Sequence, residues 1–328
     1  MPVMPNAPSI LSLDAEVVQT ESVELTVIGA GAWGSALASL VQKNNHTVRL
    51  WSRRSEISLG EAVDQAQVIL SAVSMKGVPS VVAQLRDIDI PPETILVTAT
   101  KGLDPETTRT PSQMIQAAFP DNPVVVLSGP NLSKEIEQGQ PAATVAASLH
   151  PAAAEAVQYL FSSDTFRVYS SPDPLGAELG GTLKNVIAIA VGVCEGLNLG
   201  ANARSALITR ALPEVIRIGT HLGGQPETFF GLSGLGDMLA TCTSVLSRNY
   251  RVGYGLAQGK PLAQILEELG STAEGVNTTQ VLVAIANREG IPVPIARQVH
   301  RLLLGKITPQ EAVEALMERD LKPEACDL

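Results

Sequence analysis

Leu25-Thr26-Val27-Ile28-Gly29-Ala30-Gly31-Ala32-Trp33-Gly34 decides the fold of the first half of this 328-residue chain. A short β-prone run enters a glycine turn, and a helical pattern follows from about Trp33 to Asn44. Alone, Gly-x-Gly-x-x-Gly is a weak signal. Between a strand and a helix it is a dinucleotide-binding fingerprint. Gly29 permits the tight turn, Gly31 lets the backbone approach a pyrophosphate, and Gly34 lets the helix pack on the strand. The pyrophosphate then meets a helix N-terminus, whose free N–H groups and dipole favour an anion.

Outward from this stretch the same alternation continues. Thr47–Trp51, Val68–Ala72, Ile95–Thr98, Val124–Leu127, Ala143–Ala146 and Phe166–Tyr169 read as further apolar strands spaced by helical patterns. Such strands indicate a mostly parallel, doubly wound α/β sheet covered on both faces. Strand signals stop after Tyr169, and the remainder reads as helices between Gly- and Pro-marked loops. The expected organisation is a flexible tail over 1–22, a Rossmann-type dinucleotide domain over 23–170 and an all-α domain over 171–328. Thr308-Pro309-Gln310-Glu311 is a capping box that opens the last clear helix.

Composition narrows the partners. The chain carries 23 Lys and Arg against 33 Asp and Glu, a net charge of −10, which disfavours nucleic acid and anionic membranes. An anionic substrate would need a few local cations to hold it against that field. Cys194, Cys242 and Cys326 form no CxxC pair, and the four histidines are scattered, so no metal site is expected. Reduced thiols suit a cytoplasmic protein. The N-terminal 24 residues contain no Lys or Arg, unlike a targeting signal, and the longest apolar run, Val186–Cys194, is too short to span a membrane. The apolar helical segments suit a homodimer.

The second cofactor signal lies after the second strand. An Asp or Glu there would bind a ribose 2′-hydroxyl, but the chain has Ser52-Arg53-Arg54. Two guanidiniums suit a 2′-phosphate, so NADP(H) is the expected cofactor, while Glu56 keeps NAD(H) open.

Chemistry is signalled in the second half. Lys184 is the only charged side chain between Glu178 and Glu195. A buried ammonium loses its proton more readily, and such a lysine can act as an acid or base. Gly180 and Gly181 precede it by about one turn and would leave a floor without side chains on which a small ligand could rest. The bland alternative is a lysine that snorkels to water. Thr100-Lys101-Gly102 and Ser128-Gly129-Pro130-Asn131 sit at strand ends, where open α/β sheets bind ligands. Lys101 could pair with an anion, although a solvent-facing loop lysine is the simpler reading; Asn131 could hydrogen-bond a hydroxyl or carbonyl. Gly231–Gly236 reads as a flexible loop entering a helix that Asp237 would cap, with Thr241 on the same face. Ser247-Arg248-Asn249 can ligate a phosphate. Glu274 suits the first turn of another helix.

In this order the motifs resemble bacterial-type NAD(P)-dependent glycerol-3-phosphate dehydrogenase. The matching stretches include Val27–Gly34, Ala99–Gly102, Ser128–Pro130, Phe166–Tyr169, Leu183–Ala188, Gly200–Arg210, Gly234–Asp237 and Ser247–Asn249. The resemblance implies reduction of dihydroxyacetone phosphate to sn-glycerol 3-phosphate for glycerophospholipid synthesis, with Lys184 as proton donor and acceptor. It implies substrate contacts at Lys101, Gly129, Asp237, Ser247, Arg248 and Asn249. Cofactor contacts are implied near Trp33, Arg53, Arg54, Lys101, Ser133, Arg248 and Glu274. Asn131, Asn185 and Thr241 fall close to the reacting centre. The chain departs from the family between Arg54 and Ala66, where a longer segment is usual, and at Ala32, which replaces a small polar residue. A more open rim near the adenosine end follows. Two other readings stand beside this one: a related dehydrogenase of hydroxy or keto acids, and a non-catalytic NADP sensor.

Overall fold

The computed structural model describes residues 22–270, 272–321 and 323–324. The expected tail, apart from Ser22, and Cys326 lie outside these residues. The chain divides into two compact units, one of residues up to 100 with 111–174 and one of 101–110 with 175 onward.

The first unit holds a seven-stranded sheet: β1 (Glu24–Ile28), β2 (Thr47–Trp51), β3 (Val68–Ser71), β4 (Ile95–Thr98), β5 (Val124–Ser128), β6 (Ala142–Ala147) and β7 (Phe166–Ser171). The order is β2-β1-β3-β4-β5-β6-β7. Neighbours run parallel except β5 and β6, which are antiparallel. Six helices accompany it: α1 (Ala32–Lys43), α2 (Leu59–Val63), α3 (Val78–Arg86), α4 (Pro111–Ala118), α5 (Ser133–Glu137) and α6 (Pro151–Phe161). Only the five-residue α5 joins β5 to β6, and the chain turns back rather than crossing over. Alternation along the strands explains the two-sided core. Leu25, Val27, Leu70, Val97 and Leu127 enter one apolar cluster; Ile28, Ile69, Leu96 and Val124 enter the other.

The second unit is helical: α7 (Pro174–Gly196), α8 (Gly200–His221), α9 (Asp237–Cys242), α10 (Arg248–Ala257), α11 (Leu262–Leu269), α12 (Glu274–Glu289), α13 (Pro294–Leu303) and α14 (Pro309–Met317). The capping box at Thr308 and Glu311 forms as expected. By length and composition α7 could cross a membrane, but 94% of its apolar window is buried inside the protein. It is the central core helix, apolar on all sides. A Cβ at Gly192 would stand 2.1 Å from the Tyr250 carbonyl oxygen, and one at Gly253 only 1.9 Å from that of Ile189. Glycines on both helices therefore bring the backbones of α7 and α10 into contact, and this crossing fixes the start of α10 beside the middle of α7.

The segment after β4 also belongs to this unit. Leu103 is in its core, and the Gly102 N–H donates to Thr182 Oγ1 at 3.0 Å. The consequence is that Lys101 is carried by the helical unit, a placement invisible in the linear alternation of elements.

Candidate active site

In the sheet unit the glycine loop can be read position by position. Gly29 has φ +120° and lies against the Ala72 carbonyl, 2.8 Å from where a Cβ would sit. A Cβ at Gly34 would fall 1.9 Å from the Gly29 oxygen. Both glycines are thus required by the fold itself. Gly31 differs: it is exposed and nothing lies within 4 Å of its would-be Cβ. Protein packing gives no reason for a glycine there, whereas a pyrophosphate approaching the N-terminus of α1 does. Trp33 donates its indole N–H to the Ala99 carbonyl at 3.1 Å and ties this loop to the end of β4. Arg53 and Arg54 are exposed in the turn after β2, where the Arg54 N–H meets Ser52 Oγ at 3.2 Å. In the segment after Arg54, α2 forms with its own capping box between Ser58 and Glu61.

At the end of β5, Gly129 has a packing reason of its own. A Cβ there would meet Thr144 Cα at 2.8 Å. Asn131 donates to the Ala143 carbonyl at 2.9 Å, while its Oδ1, Ser128 Oγ and Thr144 Oγ1 are buried without a hydrogen-bond partner. Orphaned polar atoms are costly, and their clustering at a strand end suits a polar ligand. Ser133 is half-buried at the start of α5.

The helical unit holds the densest chemistry. Lys184 does not snorkel, because its side chain is only 7% exposed. Nor is the space over Gly180 open to a ligand. The would-be Cβ of Gly180 lies 2.8 Å from the Ser233 carbonyl and 3.0 Å from Gly234 Cα, so backbone fills that space. The expected flexible loop is in fact a π-type turn over Leu232–Gly236, closed by the Gly236 N–H to the Gly231 carbonyl at 3.0 Å. Gly180 admits this turn against α7, and the turn delivers Asp237 at the start of α9. Asp237 does not cap its helix with its side chain. Its carboxylate instead accepts from Lys184 through Oδ1 and from Lys101 through Oδ2, the latter at 2.5 Å. Lys184 also donates to Thr241 Oγ1 at 2.5 Å. One turn of α9 separates Asp237 from Thr241 and sets both beside the same ammonium, as the spacing predicts. Lys101 is not a solvent-facing lysine, its side chain being 21% exposed.

Two ammoniums therefore share one buried carboxylate. Burial pushes the Lys184 pKa down to about 8; the charge of Asp237 opposes this and that of Lys101 reinforces it. The cluster retains a local positive excess in an otherwise acidic protein, which suits an anionic substrate. Neighbouring Cys242 is fully buried, and the loss of solvent pushes its thiol up to about 12, so it stays neutral. The described residues contain no group of three or more His, Cys, Asp or Glu fit to hold a metal.

Ser247 caps α10 by accepting from the Tyr250 N–H at 3.2 Å. Arg248 is exposed on the first turn. Asn249 is buried, and its side chain donates to Asn185 Oδ1 at 2.8 Å while accepting the Gly275 N–H at 2.9 Å. Glu274 is half-buried at the start of α12. The structure thus gathers Lys101, Lys184, Asp237 and Thr241 in one group, and Asn185 and Asn249 in a second. Sequence reading overlooked Thr182 and Gly275. Thr182 lies two residues before Lys184, a spacing that carries no signal until Gly102 is seen against it.

Comparison with known proteins agrees with this geometry. Residues 24–58 and 55–154 match the N-terminal model of NAD-dependent glycerol-3-phosphate dehydrogenase, and residues 173–314 match its C-terminal model. The N-terminal match is in two pieces that overlap at residues 55–58. The glycerol-3-phosphate dehydrogenase (NAD(P)+) of Acaryochloris marina is 71% identical over 304 residues, covering 93% of this chain and 98% of that protein. The corresponding Synechocystis protein is 67% identical over 92% of this chain and 95% of its own length. The crystal structure of glycerol-3-phosphate dehydrogenase from Coxiella burnetii aligns with a TM-score of 0.86 at 33% identity, over 91% of this chain and 99% of that one.

Proposed function

The chain belongs to the NAD-dependent glycerol-3-phosphate dehydrogenase family, and on that premise we propose that it interconverts dihydroxyacetone phosphate and sn-glycerol 3-phosphate with Lys184 as proton donor and acceptor. The observation that carries the assignment of roles is the buried Lys184 ammonium, which shares Asp237 with Lys101. When bound, the reduced nicotinamide supplies the hydride to the substrate C2.

As charge develops on the C2 oxygen, the Lys184 ammonium stabilises it and then transfers a proton to it. An ammonium has three donors. Asp237 and Thr241 take two of them, which aims the third at the substrate. Lys101 adds a second positive charge beside the same carboxylate and favours the anionic substrate. Arg248 and the N-terminus of α10 hold the phosphate, and that anchoring positions the carbonyl. Gly129 and Asn131, at the end of β5, are the substrate contacts expected of the sheet unit by itself. In the reductive direction the product feeds glycerophospholipid synthesis. A homodimer in the cytoplasm remains the expectation carried from the sequence.

The titration of Lys184 provides the test. Reduction needs the ammonium, so the reductive kcat falls as pH rises through about 8, whereas the oxidative kcat rises through the same pH. Matching pH profiles measured in both directions should cross in this way. Reductive turnover that stays flat to pH 10 would assign the proton transfer to another group.

For the cofactor, Gly29, Gly31, Trp33 and Gly34 of the sheet unit receive the pyrophosphate, with Ser133 a further contact of that unit; Lys101, Arg248 and Glu274 are the cofactor contacts expected of the helical unit by itself. Gly31→Val should fold with an unchanged thermal midpoint, because no protein atom lies within 4 Å of the new Cβ. It should weaken cofactor binding by about tenfold or more, measured by nicotinamide fluorescence. Unweakened binding would remove Gly31 from the cofactor site. Arg53 and Arg54 favour NADPH over NADH by pairing with the 2′-phosphate.

A further inference from the structure

Thr182 carries the only hydroxyl on α7 and is fully buried in the helical unit. Its Oγ1 accepts the Gly102 N–H at 3.0 Å. Gly102 has φ +145°, a conformation that residues with a side chain rarely adopt, so glycine lets the residue after Lys101 present its N–H to the helix. Leu103 follows and enters the same apolar cluster as Leu179 and Leu183, on either side of Thr182. Beyond it the chain closes on itself. The Asp104 carboxylate accepts the N–H and the hydroxyl of Thr107, both at 2.8 Å, and the Asp104 N–H donates to the Arg109 carbonyl at 2.9 Å. Residues 101–110 thus form a self-closed turn pinned to α7 by Thr182 and Leu103. On the other side of Gly102, Lys101 donates to Asp237 Oδ2 at 2.5 Å, and Asp237 Oδ1 accepts from Lys184. A circuit therefore begins and ends on α7: Thr182 to Gly102, Lys101 to Asp237, Asp237 to Lys184. Side chains two apart on a helix do not face each other, so this circuit joins Thr182 to Lys184.

We infer that Thr182 is a positioning residue of the proposed reaction: by holding the Gly102 N–H it sets the Lys101 ammonium against Asp237, and so fixes the second cation of the site and the balance of charge at Lys184. The inference rests on the proposed substrate and on Lys184 as the proton donor. Among the described residues, the ionisable groups acting on Lys184 are Asp237 and Cys242 of α9 and Lys101, and the Cys242 thiol is neutral. Burial is the main cause that brings the Lys184 pKa down to about 8; the Asp237 charge opposes it and the Lys101 charge adds to it. Withdrawing Lys101 from Asp237 removes one downward push, so the Lys184 pKa rises. It also removes a cation that favours the anionic substrate, so substrate binding weakens.

Thr182→Val tests this. A methyl needs more room than a hydrogen-bonded oxygen, so Gly102 must back away and carry Lys101 with it, whereas Thr182→Ser keeps the oxygen. In Thr182→Val the KM for dihydroxyacetone phosphate should rise about threefold to tenfold, with kcat at neutral pH within about twofold. The fall in reductive kcat should move upward from about pH 8, toward its position in Lys101→Met. Thr182→Ser should restore both. In a Lys101→Met background Thr182→Val should change neither further, because both substitutions act through one group. An unchanged KM and pH limb in Thr182→Val, whatever its thermal midpoint, would reduce Thr182 to packing and overturn the inference. So would equal effects of the serine and valine variants, or a further shift in the Lys101→Met background. If Thr182→Val does not fold, Thr182→Ala removes the same oxygen without crowding and is read by the same outcomes. Failure of the underlying reading would look different, because the unmodified enzyme would then not reduce dihydroxyacetone phosphate at all.

Discussion

Lys184→Ala should lower kcat for dihydroxyacetone phosphate reduction by roughly 10³-fold, the combined scale of losing a general acid and a cation aimed at the developing oxyanion. The Kd of the reduced cofactor should stay within about twofold, since the glycine loop and the arginine pair belong to the sheet unit. The fold should tolerate the change. Lys184 is expensive to bury, and an alanine removes that cost along with the side chain. Asp237 keeps Lys101 as its partner in the variant. Steady-state kinetics with a parallel fluorescence titration of the cofactor would measure both quantities. Turnover near that of the unmodified enzyme would remove Lys184 from the chemistry, and lost cofactor binding would show that the variant is disturbed more widely than the structure implies.

Asp237→Asn should cost more in stability and act on activity by a different route. It leaves Lys101 and Lys184 facing each other without the carboxylate that both now share. Breaking such a buried arrangement while leaving charge behind costs about 3–5 kcal/mol, which would be read as a loss of unfolding free energy in urea. The sign of the pH effect follows from the forces on Lys184. Burial and the Lys101 charge push its pKa down and Asp237 pushes it up, so removing Asp237 leaves only the downward forces. The fall in reductive kcat should therefore move from about pH 8 to lower pH, and activity at neutral pH should drop with it. Adding Lys101→Met should return part of the stability and move the pH limb back up, because the second charge is then gone and the two substitutions are coupled, while KM for the anionic substrate rises. A pH limb that stays at about 8 in Asp237→Asn would mean that the carboxylate does not set the titration of Lys184.

Local signals carried most of the fold. The strand at Leu25–Ile28 and the glycines after it were legible because apolar β-branched runs and glycine turns are short-range features. The seven strands follow from the same alternation, and the antiparallel β6 reflects a connection with only a short helix, a detail of length rather than of pattern. Lys184 stood out because one charge in a long apolar helix is conspicuous. The arrangement around it was not legible. Lys101 and Asp237 are 136 residues apart, and only the packing of the 101–110 segment with the helical unit and the π-type turn against Gly180 bring them together. Asn249 shows the opposite limit. Its place in a Ser-Arg-Asn run suggests a phosphate contact; that its amide also lies between Asn185 and Gly275 follows from the crossing of α7 and α10 at Gly192 and Gly253, which no local pattern announces. The two other readings of the sequence, a hydroxy- or keto-acid dehydrogenase and a non-catalytic sensor, give way to relatives 71% and 67% identical over nearly their whole length.

Loss of absorbance at the reduced-nicotinamide band, followed with dihydroxyacetone phosphate and either NADPH or NADH, tests the central claim most directly. Rapid oxidation with formation of sn-glycerol 3-phosphate is the expected result, faster with NADPH than with NADH at subsaturating cofactor under the proposed pairing of Arg53 and Arg54 with the 2′-phosphate. No oxidation of either cofactor by the folded protein would contradict it.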